Sequence, residues 1–332
     1  MNKYPIYPLT EIQELINSAF EKELKEWMDR QPENLYLPAN YILGQKGKKL
    51  RSTLVLLSYN LFNEKVVKAL PVALAIEIFH NFTLLHDDIM DKAEIRRNEP
   101  AVHKKFGENA AILSGDVMSF ISFKYLLKCE STYLQPLLEL FTDTAIAVCE
   151  GQQYDLDFED RFDVSEHEYL EMIRLKTAVL LACSLKSGSL IAGAGDQEMT
   201  ALYNLGMNLG MAFQLQDDLL DTFGKETVFG KKIGGDILTN KKTFLLVKAL
   251  ELANPKQKKE LIFWIDKKEF DPERKIEIIK SIYTELGIKD LIKKQTEFYF
   301  SKVYTSLASV SVAESKKVQL KQLIRTMLHR ST

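Results

Sequence analysis

The sequence is poor in residues that cross-link or break a chain. Cys129, Cys149 and Cys183 are its only cysteines in 332 residues. An odd count without ligand spacing excludes a disulfide framework and a cysteine-held metal, so they read as reduced core residues of a cytoplasmic protein. Glycine (15) and proline (9) are sparse, and no linker shows. Residues 1–332 are therefore expected to form one domain, although the length exceeds the usual domain size. An excess of one charge is also missing. Lys and Arg number 44 against 46 Asp and Glu, a net charge of −2, which gives no reason to propose nucleic acid or an anionic membrane surface. No uncharged apolar run reaches transmembrane length, so no integral membrane segment is expected. Met1 to Thr10 carries Pro5 and Pro8 and no apolar run of signal-peptide type. No exact internal repeat occurs, and few runs of strand alternation compete with helix.

What is present is helical periodicity almost from end to end. With 46% hydrophobic residues, it predicts an all-α protein, a large helical bundle. The first helix is expected to open at Thr10, an N-cap with Gln13 three residues on, and to run to about Asp29. A proline-containing turn is expected at Gln31 to Pro38. Helices follow from near Leu50, from Lys65 or Ala69 to Asp91, and near Asn109–Lys128, Thr132–Tyr154, Glu166–Ala192, Glu198–Asp221 and Thr239–Ala253. Shorter ones are separated by Pro255, Pro272 and Gly287.

Two clusters of one form stand in the most apolar helices: Asp87-Asp88-Ile89-Met90-Asp91 and Asp217-Asp218-Leu219-Leu220-Asp221. Residues i and i+4 share a helix face, so Asp87 pairs with Asp91 and Asp217 with Asp221. Like charges at that spacing repel, and carboxylates on apolar helices need a partner. A solvated face is the bland alternative. It fits poorly with flanks such as Phe79, Phe82, Leu85, Met211, Phe213 and Leu215. Oxygen-only donors suit a hard divalent cation such as Mg²⁺, which keeps waters and takes phosphate oxygens. Basic residues agree with a phosphate ligand: Lys48, Lys49 and Arg51 at a helix start, Arg96 and Arg97 past the first cluster, and Lys231, Lys232, Lys241 and Lys242 past the second. His80 lies two turns before Asp87 on the same face, where phosphate contact and a core role compete.

In these residues the chain resembles the trans-isoprenyl diphosphate synthases, or polyprenyl synthetases. Gly47-Lys48-Lys49-Leu50-Arg51 is similar to the family's G-K-[RK]-x-R segment. Leu85 to Asp91 with Arg96-Arg97 resembles its first motif, and Phe213 to Asp218 its second. Gly151-Gln152-Gln153-Tyr154-Asp155, Lys176-Thr177 and the Gly230-to-Asp236 loop with Lys241 complete the set. The resemblance spans about residues 44–243 in motif order. It implies helices around a deep cavity, usually in a homodimer, and short-chain enzymes making geranylgeranyl or farnesyl diphosphate. The implied reaction is head-to-tail condensation of isopentenyl diphosphate with an allylic diphosphate held by about three Mg²⁺. By resemblance, Asp87 and Asp91 ligate two ions and Asp217 a third, with Asp88, Asp218 and Asp221 as further ligands or their supports. Arg96, Lys176, Lys241 and one of Lys231 or Lys232 hold the allylic diphosphate. Lys48, Arg51, His80 and Arg97 hold isopentenyl diphosphate. The Lys176 carbonyl, Thr177 and Gln214 face the allylic cation as catalytic dipoles.

Ser52 stands where many relatives have proline, a change expected to matter little. The intact second cluster and the Lys48/Arg51 group argue against a class I terpene cyclase, and no lost acid or base suggests a non-catalytic subunit. A di-iron protein would need two Glu-x-x-His pairs, and Glu77 with His80 makes only one. Product length is expected to be set below the first cluster. In the family, an aromatic five residues before the motif with a small residue four before it resembles enzymes making twenty carbons. Phe82 and Thr83 fit that pattern, so geranylgeranyl diphosphate is expected first and farnesyl diphosphate second. Phe120 and Phe123 are the alternative floor.

Overall fold

Stretches with 3.6-residue periodicity fold as helix, and burial decides where they start and stop. The computed structural model describes residues 6–224 and 233–328. The chain folds into two compact units. One comprises Met1–Asp143, Cys183–Tyr203 and Ser309–Gln322; the other comprises Thr144–Ala182, Asn204–Ala308 and Leu323–Thr332.

In the first unit, α1 (Leu9–Met28) buries Ile12, Ile16, Phe20 and Trp27, one stripe of its surface. It starts after Pro8 without a side-chain cap, so Thr10 lies in its first turn rather than at the expected cap. The turn expected up to Pro38 is also corrected. Residues Glu33–Gly44 form α2 with Pro38 inside it. An interior proline costs a helix hydrogen bond and a clash. Here Pro38, Ala39, Ile42 and Leu43 are buried, and packing against α1 and α6 (Glu108–Leu126) outweighs that cost. α3 (Leu50–Asn60) buries nearly every residue. After a 3₁₀ turn at Val66–Ala69, α4 (Leu70–Met90) carries a proline in its first turn, where it is tolerated. The stretch Val66–Met90 is long and apolar enough to cross a membrane by composition, but 61% of that window is buried inside the protein, as in a core helix. A hairpin, Ile95–Arg96 with Glu99–Pro100, follows it.

α7 (Ser131–Phe158) has residues in both units. In the second unit, α8 (Glu166–Ile173) opens with a Ser165/Glu168 capping box. The helix expected over Glu166–Ala192 runs unbroken from Glu166 to Ile191 but changes its winding midway. A wider π-helical turn at Arg174–Ala178 lies between α8 and α9 (Val179–Ile191). The stretch is closely packed. α10 (Asp196–Phe223) approaches so closely that a Cβ on Gly206 would lie 2.5 Å from the Ala182 Cα, and one on Gly210 2.4 Å from the Ala178 Cα. The apolar period hides the π-helical turn because it continues on both sides.

The helix expected over Thr239–Ala253 is likewise replaced. A short α11 (Gly235–Leu238) is followed by a turn with Asn240 at φ 58°, and α12 (Phe244–Leu252) starts from Thr243, whose hydroxyl accepts the Leu246 N–H. α13 (Pro255–Asp266) and α14 (Pro272–Glu285) each place proline in the first turn behind an Asn254 or Asp271 cap. With α15 (Ile288–Ala308) they close a core of Leu215, Leu219, Phe244, Trp264, Tyr283 and Ile292. The cysteines depart from the expected core placement. Cys183 is buried, but Cys129 is half-buried and Cys149 exposed.

Candidate active site

The first aspartate cluster occupies the C-terminal end of α4. Asp87 and Asp88 lie in its last turn and Asp91 is its C-cap, with no basic residue in that turn. Carboxylates at this end oppose the helix dipole, so the site needs positive charge from elsewhere. The hairpin supplies part of it. The Arg96 Nε donates to both Asp88 oxygens, at 2.9 and 3.1 Å, and a terminal nitrogen donates to Oδ1 at 2.5 Å. Asp88 is 1% exposed. Asp87 is half-buried, with its Oδ2 3.8 Å from Arg96, and Asp91 is exposed. The acids at i and i+4 thus lie outward while the middle one is locked inward.

Arg97 and Asn98 adopt φ of 54° and 64° at the hairpin turn, a geometry that two-residue turns demand. The turn sends Arg97 over Gly47, whose Cβ would sit 3.2 Å from the guanidinium. There it joins Arg51, which donates from a terminal nitrogen to the His80 Nε2 at 2.9 Å. An arginine has only donors, so His80 accepts on Nε2 and carries its proton on Nδ1. Burial, then Arg51, Arg97 and Arg96, push the His80 imidazole well below its ordinary range, and it is neutral. Burial also lowers Arg51 to about 10, though Glu77 opposes this. The Arg51 Nε is buried without a hydrogen-bond partner, as suits a group that awaits an anion. Lys49 is turned away, with its ammonium on Asn17 Oδ1 at 3.0 Å, while Lys48 is exposed.

The second cluster repeats the pattern within the second unit. Asp218 is 3% exposed. It accepts from the Gln214 side chain at 3.0 Å, from the Phe244 N–H at 3.2 Å, and from the Tyr169 hydroxyl. Asp217 and Asp221, at i and i+4, are half-buried. Asp221 also receives the following loop: Gly234 N–H donates to its carbonyl at 2.7 Å and Asp236 N–H to its carboxylate at 2.9 Å. Burial raises both Asp218 and Asp236. For Asp236 the charges of Asp218 and Asp221 add to the effect, and Lys241 opposes it in both.

The chemistry of both donor sets is oxygen only, which fits Mg²⁺. Among the described residues no three His, Cys, Asp or Glu side chains already form a ligand group. A cation completed by water and phosphate oxygens has no need of one.

Lys176 and Thr177 lie in the π-helical turn, a distortion often found at functional positions. Lys176 donates to Asp155 at 2.5 Å, and Thr177 donates to the Gln214 side-chain oxygen at 3.2 Å. Gly151 makes this possible, since a Cβ there would lie 2.3 Å from the Lys176 nitrogen. A small cavity brings together Asp155, Lys176, Thr177, Gln214, Asp218 and Lys241. Lys231 and Lys232 lie outside the described residues. Sequence reasoning missed Tyr169, 49 positions from its partner Asp218, and no local signal marks it. It gave no role to Asp236, although Gly-Gly-Asp after an acidic helix was a visible cue.

Two carboxylate-bearing helix segments, with guanidinium and ammonium groups beside them on an all-α frame, define the isoprenoid synthase class of fold. Comparison with known proteins agrees. The polyprenyl synthetase family profile matches residues 32–284. A short chain isoprenyl diphosphate synthase of Methanothermobacter thermautotrophicus is 43% identical over 245 residues, 74% of this chain and 75% of that protein. A geranylgeranyl diphosphate synthase of Sulfolobus acidocaldarius is 36% identical over 310 residues, 90% and 91% of the two chains. The solved structure of a geranylgeranyl pyrophosphate synthase matches with a TM-score of 0.89 at 40% identity, covering 96% of this chain and 99% of that one. The chain belongs to the polyprenyl synthetase family. It is a prenyltransferase of the short-chain isoprenyl diphosphate synthase type.

Proposed function

We propose that this chain condenses isopentenyl diphosphate head-to-tail (1′–4) with an allylic diphosphate, releasing pyrophosphate, and that its main product is geranylgeranyl diphosphate. One observation carries the site assignment: each aspartate cluster locks its middle acid, Asp88 or Asp218, and leaves the i and i+4 acids outward. Asp87, Asp91 and Asp217 are suited to hold about three Mg²⁺, with Asp221 in support; bound there, the metal supplies Lewis-acid neutralisation of the leaving pyrophosphate.

The protein groups do the rest. Arg51, Lys48 and Arg97 bind the diphosphate of isopentenyl diphosphate, and neutral His80 orients Arg51. Arg96, Lys241 and Lys176 are assigned to the allylic diphosphate, Lys176 giving up Asp155 for it. As the allylic C1–O bond breaks, the Lys176 carbonyl, Thr177 and Gln214 stabilise the cation as preorganised dipoles. C4 of isopentenyl diphosphate then bonds to C1, and the proton lost from C2 passes to the departing pyrophosphate. No protein nucleophile is required. The test is incubation of an allylic diphosphate with Mg²⁺, with and without isopentenyl diphosphate. Chain lengthening only in its presence supports the proposal; hydrocarbon release in its absence marks a cyclase instead.

The product proposal draws on Phe82, half-buried one turn below the cluster and packed between Phe79 (5.4 Å between ring centroids) and His86 (4.8 Å). Thr83 turns its hydroxyl to the His80 carbonyl at 2.8 Å and adds little bulk. Phe120 is 73% exposed, which disfavours it as the alternative floor, while Phe123 packs edge-on against Phe141. Phe82→Ala opens space where the ring was. Its products, read by mass spectrometry, are expected to extend beyond twenty carbons.

Self-association as a homodimer is supported by α6 and its C-cap residue Leu127, where Leu113 (58%), Phe120 (73%) and Leu127 (58%) are exposed at seven-residue spacing. A stripe of this kind on a soluble helix marks an interaction face. Sedimentation of Phe120→Glu is expected to show monomer where the unmodified protein shows dimer.

A further inference from the structure

Helix α3 begins without a cap of its own. Lys49, at its N-cap position, has left-handed backbone (φ 40°, ψ 48°), and its side chain makes no capping bond. The first N–H groups of a helix have no partner within it. Here one is met from a different helix. Ser52 N–H donates to the Glu77 Oε2 at 3.2 Å, and the Ser52 hydroxyl, 2.9 Å from the Lys49 carbonyl, reaches the same Glu77 oxygen at 3.0 Å. Both residues are buried, Ser52 at 0% and Glu77 at 3% exposure. Glu77 lies one turn before His80 on α4, and Ser52 directly follows Arg51. The clamp therefore fixes the level at which Arg51 meets His80, 2.9 Å away. The same carboxylate faces the positive charges of Lys49, Arg51 and Arg97. A proline at position 52 would have neither donor, so the tie depends on the serine.

We propose that Glu77 and Ser52 are positioning residues that hold Arg51, seated on His80, in place for the diphosphate of isopentenyl diphosphate; this rests on the assignment of Arg51, His80 and Arg97 to that substrate. Neither residue touches the substrate. Their effect therefore falls on its KM and not on the allylic partner or on turnover at saturation.

Steady-state kinetics of four variants test this. Arg51→Ala is expected to raise the KM for isopentenyl diphosphate about tenfold or more, the loss of one charge-assisted contact. Glu77→Ala should raise the same KM by about tenfold, with kcat and the allylic KM within about threefold, because the guanidinium loses its fixed seat. Glu77→Gln keeps an acceptor for both Ser52 donors and should recover to within about threefold of the unmodified protein, and Ser52→Ala should cost about two- to threefold. The last two keep the test open if Glu77→Ala does not fold. If Arg51→Ala raises the KM while Glu77→Ala or Ser52→Ala leaves it unchanged, the clamp is wrong and the substrate assignment stands. A loss shared equally by kcat and both KM values also overturns the clamp. An unchanged KM in Arg51→Ala overturns the substrate assignment and the clamp with it.

Discussion

Replacing Asp87 or Asp217 by alanine is expected to lower turnover by about three orders of magnitude or more, since a metal's charge stabilisation amounts to several kcal/mol and each 1.4 kcal/mol is tenfold in rate. Each residue is the first acid of an i, i+4 pair on a helix surface. The acid next to it cannot take over. Asp88 is committed to Arg96 by three short contacts, and Asp218 to Gln214, Tyr169 and the Phe244 N–H. Folding should be spared. Asp87 stands at the negative end of α4, which offsets its 3.8 Å approach to Arg96, so removing it without metal present should change stability by no more than about 1 kcal/mol. Circular dichroism checks the helical content, and turnover is measured with Mg²⁺ as the only divalent ion. Near-normal turnover in either variant would remove the metal role from that cluster.

Gly151→Ala is expected to cost about 2–3 kcal/mol of stability, the upper range for overpacking against a rigid neighbour. The added Cβ would lie 2.3 Å from the Lys176 nitrogen and 2.7 Å from the Leu175 carbonyl carbon. Those are backbone atoms and cannot rotate away. The strain falls on the turn that aims Lys176 and Thr177, so turnover should fall as well, even below the melting range. For a chain of this size the loss corresponds to several degrees in Tm. Gly44→Ala is the control. Its Cβ would meet only the Leu24 Cδ1, at 3.9 Å, and Tm should change by no more than about a degree. Equal Tm for the two variants would show that the close approach of the helix and the turn is not tight.

The helical period made the aspartate pairs legible, because i and i+4 must share a face whatever the rest of the chain does. It also left the middle acids to point elsewhere, though not toward any named partner. Arg96 stood eight residues from Asp88 and could be noticed; Tyr169, far along the chain from Asp218, could not. Pro38 misled for a sound local reason, since proline opposes helix, and burial of its neighbours against other helices reversed the outcome. The π-helical turn was invisible because the apolar pattern runs through it; the glycines that pack close against it, Gly151 and Gly210, lie far away in sequence. Glu77 read only as half of a rejected di-iron pattern. Its role depends on the first turn of α3 lying beside it, which no spacing within α4 could reveal.

The most direct measurement is product length by mass spectrometry, with dimethylallyl, geranyl and farnesyl diphosphates supplied in turn beside isopentenyl diphosphate and Mg²⁺. Phe82 below the first cluster predicts that all three starters converge on a twenty-carbon diphosphate. No incorporation of isopentenyl diphosphate from any starter, or a product beyond twenty-five carbons, would contradict the account.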